Sequence, residues 1–162
     1  MPAMIRALVA LLLVAGLCLA APLQAAELDF AKALKIGSGP KVVVEFTDPD
    51  CPFCRSASRY LDGRGDVTRY VFFYPLARHP RAREKVGYIL SRKDGERAYH
   101  QVMSGALDGA ATLASTPRGN RLREEQLMIA TRAGVTSTPT FMINGRILTG
   151  FDRARIEELL GK

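Results

Sequence analysis

Two cysteines separated by two residues, Cys51-Pro52-Phe53-Cys54, carry the clearest chemistry in this sequence. They follow a β-type run, Lys41-Val42-Val43-Val44-Glu45-Phe46, and stand at the expected start of a helix. A helix N-terminus presents unpaired N–H groups and the positive end of the aligned peptide dipoles, so a cysteine there is drawn toward the thiolate. The thiolate is the form that attacks disulfides, and thiols in such motifs have pKa values of about 3.5–7. Cys51, expected exposed at the N-cap, is the candidate nucleophile. Cys54, one helical turn on and less exposed, is the candidate resolving thiol that would break a mixed disulfide. A structural zinc site wants four ligands. The histidines, His79 and His100, are dispersed and read as surface residues. The pattern implies no metal and no cofactor.

Pro52 and Phe53 are uncharged and add no cationic support to a thiolate. Asp48 and Asp50 lie just upstream and would oppose it if close. The expected redox potential therefore lies between the strongly oxidising and strongly reducing limits of such proteins, about −120 to −270 mV.

The chain has 162 residues, 48% of them hydrophobic, enough for one domain with an ordinary core. Residues 1–25 read as a signal peptide: Arg6, a nearly unbroken apolar run from Ala7 to Ala20, then small residues suited to cleavage. The run falls short of the ~20 residues that span a bilayer comfortably. Cys18 leaves with this leader; bulky Leu17 before it argues against a lipoprotein site. Only Cys51 and Cys54 then remain. A disulfide across so short a loop constrains the unfolded chain little, so chemistry explains the pair better than architecture does. The formal charge is +7; without Arg6, 22 basic residues face 16 acidic ones, leaving +6. Basic residues gather at 78–85 and 118–123, which reads as a solvated face. No nucleic-acid motif or interleaved aromatic stripe accompanies them.

The elements that must position the pair are legible in outline. Apolar residues at 28, 30, 31, 34 and 36 predict a short amphipathic helix, within an N-terminal helix and linker over 26–40. Val42–Phe46 reads as a buried strand, Pro52–Leu61 as a helix, and Val67–Tyr74 as a second strand. Helices follow over about 80–91, 94–106 and 120–133, with a connector at 109–119. Asn144-Gly145 between two short apolar runs predicts a hairpin whose turn needs positive φ at both positions. Asp152 then caps a closing helix to about Leu160. Tyr70, Phe72, Phe73 and Phe141 are expected core residues.

Three segments in this order carry a family resemblance: Phe46-Thr47-Asp48-Pro49-Asp50-Cys51-Pro52-Phe53-Cys54-Arg55, Phe72-Phe73-Tyr74-Pro75-Leu76, and Gly134-Val135-Thr136-Ser137-Thr138-Pro139-Thr140-Phe141. Together they resemble the catalytic domain of bacterial periplasmic DsbC/DsbG-type thiol:disulfide interchange proteins. The resemblance implies an α/β, thioredoxin-like fold: a central mixed sheet with an inserted helical block, over 41–162. It also implies periplasmic location, cysteine-containing exported protein substrates, and a membrane redox partner that resets the Cys51–Cys54 pair. By the same resemblance the Thr138–Pro139 bond is cis, with the Thr138 backbone facing the disulfide. Thr138 and Pro139, with Pro52 and Phe53, then form the substrate-binding side of the site. Thioredoxin and DsbA place a buried acid at the position of Glu45, where it helps move the proton of the resolving cysteine. A carboxyl among Val43, Val44 and Phe46 should have a raised pKa, which suits that task.

The chain departs from the family in two respects. Fewer than twenty residues separate the expected cleavage site from the first predicted strand, leaving no room for the dimerisation domain, so a monomer is favoured. The second cysteine pair of DsbC is missing from the helical block. The favoured function is an exported thiol:disulfide oxidoreductase, in the isomerase or reductase direction rather than as an oxidase. A non-enzymatic thioredoxin-fold chaperone or assembly factor, and a dithiol protein that binds Cu(I), stand as alternatives.

Overall fold

The computed structural model describes residues 28–161. The signal-peptide reading of residues 1–25 lies outside them. No helix among the described residues is long and apolar enough to cross a membrane.

Five strands form one mixed sheet: β1 (Leu34–Ile36), β2 (Lys41–Thr47), β3 (Val67–Phe73), β4 (Thr140–Ile143) and β5 (Arg146–Thr149), in spatial order β1-β3-β2-β4-β5. β2 and β3 are parallel and are joined through α1 (Pro52–Asp62); the other pairings are antiparallel. A parallel pair needs such a crossover, because a tight hairpin cannot return the chain in the same direction. Between β3 and β4 lie α2 (Ala82–Leu90), α3 (Gly95–Met103) and α4 (Pro117–Arg132); α5 (Arg153–Leu160) closes the chain.

The sheet is covered on both faces, so its central strands are apolar along their length rather than alternating. Val44, Phe46 and Phe72 pack against Ala130 and Ile129 of α4. On the other face, Val43, Phe141 and Ile143 meet Ala57 and Leu61 of α1 and Ile156, Leu159 and Leu160 of α5. Val71 and Phe73 pack with Val86 and Ile89 of α2 and with Tyr99, Val102 and Met103 of α3. Phe72, Phe73 and Phe141 are fully buried; Tyr70 is only half-buried.

The predicted helix over 28–36 is absent. Asp29 caps a single 3₁₀ turn, Phe30–Lys32, and Leu34–Ile36 pairs with β3 in the register Leu34↔Val71 and Ile36↔Arg69. Leu34 and Ile36 are two apart, and so short a stretch fits either period. The outer edge of β3 decides between them, because a helix there would leave its backbone groups unpaired. Where β1 stops, the buried amide of Gln126 takes over: its Oε1 accepts from the Phe73 N–H at 2.9 Å. α4 begins at Pro117, earlier than the sequence pattern suggests, because Thr116 caps it by accepting from the Gly119 N–H at 3.0 Å. The hairpin turn is as read: Asn144 has φ 49° and Gly145 φ 74°.

Candidate active site

β2 and β4 set the geometry. Their antiparallel register pairs Phe46 with Thr140, so the end of β2 and the start of β4 lie at the same edge of the sheet. Past that edge the chain turns at Asp48, whose main-chain oxygen accepts from the Cys51 N–H at 3.1 Å. Its carboxylate accepts from the Asp50 N–H at 2.7 Å. This turn delivers Cys51 as N-cap of α1, with Pro52 in the first helical position. Opposite it, the Thr138–Pro139 peptide bond is cis, and the Cys51 thiol donates to the Thr138 carbonyl oxygen at 3.5 Å. Phe53 is 65% exposed beside the pair.

Cys51 itself is only 2% exposed, which corrects the expectation of an exposed sulfur. The N-cap position favours exposure, but the inserted helical block is built against this end of the sheet. Cys51 therefore joins the buried cluster of Cys54, Val71, Phe73, Val86 and Met103.

Both cysteines are free thiols, with opposite tendencies. The Cys51 pKa is lowered to about 5, chiefly because the Cys54 thiol donates to its sulfur. Burial opposes this, and the N–H groups of Cys54 and Phe53 and the Thr138 side chain assist. Those N–H groups are the free donors of the first turn of α1. Cys54 is pushed far above the ordinary thiol range, first by burial and then by donating to Cys51. Its sulfur also accepts from the Asp48 N–H at 3.4 Å. One thiol is thus set to ionise and its neighbour to stay protonated.

Glu45 is fully buried and its pKa is raised, first by burial, against the lowering effect of Arg69. Arg69, at 2% exposure, was not legible as an internal charge, because its neighbours on β3 read as an ordinary apolar strand. Its guanidinium lies 3.5 Å from Glu45 Oε2, donates to the Tyr99 hydroxyl at 3.3 Å, and pairs with Asp62. Glu45 does not hydrogen-bond Cys54. Thr47, two residues along the same strand face, bears on the ionisation of both. Its Oγ1 and Glu45 Oε1 are both buried without a hydrogen-bond partner.

Two further groups escaped the sequence reading. Asp48 is fully buried and binds the Leu76 N–H at 2.7 Å and His79 Nδ1 at 2.9 Å, so the half-buried His79 is tied to an interior carboxylate rather than free on the surface. Lys85 of α2, 3% exposed, pairs with Asp50 and with Asp108, the latter at 2.6 Å. Arg55 grips Asp108 through two hydrogen bonds of 2.7 Å and donates to the Pro49 carbonyl oxygen at 2.6 Å. Alternation of charged and apolar residues on a helix does not reveal which lysine the fold turns inward.

Among curated relatives, the probable thiol:disulfide interchange protein DsbC of Bordetella parapertussis is 26% identical over 141 residues, 86% of this chain and 48% of that protein. The Bordetella bronchiseptica protein of the same description matches equally. The chain thus spans about half the length of the curated relatives it matches. The solved disulfide interchange protein of Neisseria gonorrhoeae superposes with a TM-score of 0.69 at 29% identity, covering 82% of this chain and 96% of that one. The catalytic domain of Proteus mirabilis ScsC, at 20% identity and a TM-score of 0.62 over 80% of this chain and 88% of that one, shares the fold. The family model for the thioredoxin-like domain matches residues 28–161, the whole of the described structure, and the chain belongs to that family.

Proposed function

We propose that this chain is a periplasmic thiol:disulfide oxidoreductase acting on cysteine-containing exported proteins. The observation that carries this reading is the pairing of an ionisable Cys51, held across from Thr138 and the cis-Pro139, with a protonated Cys54 buried behind it.

In the reducing direction, the Cys51 thiolate attacks one sulfur of a substrate disulfide. The Cys51–substrate bond forms, and the substrate's other sulfur leaves as a thiolate and takes up a proton. Cys54 then loses its proton and attacks Cys51 Sγ. The Cys51–Cys54 disulfide forms, and the substrate leaves reduced by two electrons. An extended substrate segment pairs along the main chain beside the cis-Pro139 turn, and the exposed Phe53 supplies an apolar contact. Glu45 accepts the Cys54 proton, and its raised pKa suits a base working near neutrality. A dithiol redox partner in the membrane returns the pair to its reduced state. We favour the isomerase or reductase direction; a Cys51 pKa near 5 accords with a potential between the extremes of the class.

Insulin reduction and refolding of scrambled ribonuclease test the activity. Wild type should turn over, Cys51→Ser should be inactive, and Cys54→Ser should accumulate a mixed disulfide. Equal activity of wild type and Cys51→Ser would overturn the assignment. The redox state of the pair in cells tests the direction: mostly reduced supports isomerase or reductase, mostly oxidised assigns an oxidase.

A further inference from the structure

Asp50 is the residue directly before Cys51, and a lone carboxylate there would disfavour a neighbouring thiolate. It does not stand alone. Its Oδ1 binds Lys85 Nζ and lies 3.6 Å from Arg55 Nη2, and both cations also bind Asp108. The cluster holds two acids and two bases from four places in the chain: the loop before Cys51, α1, α2 and the segment after α3. Lys85 is nearly fully buried, so its charge is little screened by solvent. A buried lysine is retained only where it is paired. The other charged group close to the nucleophile, Asp48, is engaged by His79 and by the N–H groups of Asp50 and Leu76.

We propose that Lys85 is a positioning residue that neutralises Asp50 and thereby holds Cys51 in its thiolate form, so that an element of the inserted helical block sets the reactivity of the nucleophile. The proposal deepens the oxidoreductase reading, but it concerns the ionisation of one thiol and is tested without substrate. Neutralising either partner leaves a net charge of opposite sign beside Cys51. Because Asp50 is joined to Cys51 in the chain, a unit charge left on the pair in this partly buried site should move the thiol titration by about one pH unit.

The experiment follows thiolate ultraviolet absorbance against pH in the reduced protein. Asp50→Asn, nearly isosteric, should lower the Cys51 midpoint; Lys85→Met should raise it; the double variant should return to within a few tenths of wild type. Opposite shifts with a restoring double variant support the proposal. Equal direction in both single variants, no movement in either, or a double variant that keeps the Lys85→Met value overturns it, because a merely structural lysine would not be rescued by removing Asp50. Should Lys85→Met fail to fold, Asp50→Asn decides alone, and an unchanged or raised midpoint refutes the idea. An inactive protein that titrates as described would remove the oxidoreductase reading and leave this one standing.

Discussion

At Cys51, burial and hydrogen bonding act in opposite directions, and the donors prevail. Because the Cys54 thiol is the largest of them, Cys54→Ala should raise the Cys51 pKa above its present value of about 5. Alkylation rates measured against pH check this: the wild-type profile should have its midpoint near 5, and the variant's should lie higher. A coincident profile would mean that the helix N-terminus alone supports the thiolate. Glu45 gives a second prediction, read in the oxidised protein where neither cysteine titrates. A raised carboxyl pKa means that the folded state holds its proton more tightly than the unfolded state does. Stability should therefore fall as pH rises from the ordinary glutamate range through the raised value. Glu45→Gln removes that fall, so the advantage of wild type over the variant should shrink with rising pH in chemical denaturation. A constant difference would show that Glu45 titrates ordinarily.

Between elements, the segment after α3 is clamped to the start of α1 by Arg55 and Asp108. The clamp depends on Gly105, whose φ of +86° favours glycine. A Cβ added there would meet Asp108 Oδ2 at 3.1 Å and Arg55 Nη1 at 3.3 Å. Gly105→Ala should cost about 1–2 kcal/mol from the left-handed backbone alone, read as a shift in the denaturant midpoint. Gly105 stands just past the C-cap Ser104 of α3, the place where a helix commonly ends on a left-handed glycine, so like Gly145 it answers a local need, and the helix read over 94–106 runs past it. The misread stretch at 28–36 has a distant cause. Its own residues permit a helix, and a strand distant in sequence makes the other choice.

For the molecule as a whole, the two thiols make stability depend on redox state and pH together. Cys51 is depressed in the fold, so its contribution to the reduced form grows as pH rises from about 5 toward the ordinary thiol value of about 8.5. Cys54 is raised, so the folded state keeps a proton that the unfolded chain releases above that value, and the reduced form loses stability there. The stability of reduced relative to oxidised protein should thus climb between about pH 5 and 8.5 and then decline. Thermal unfolding of both forms across this range checks it, and a monotonic difference would contradict the assigned ionisation of one of the two cysteines.

The sequence by itself determined the dithiol, its place between a buried strand and a helix, the hairpin, the closing helix and the aromatic core. Each rests on neighbours within a few residues, where periodicity, capping and turn chemistry act. The tertiary structure alone decided that Cys51 is enclosed, that Glu45 faces a buried arginine, and that Asp48 and Asp50 are matched by His79 and Lys85. The reason is that ionisation depends on burial and on charges within several ångströms, and the fold brings those charges from segments tens of residues away.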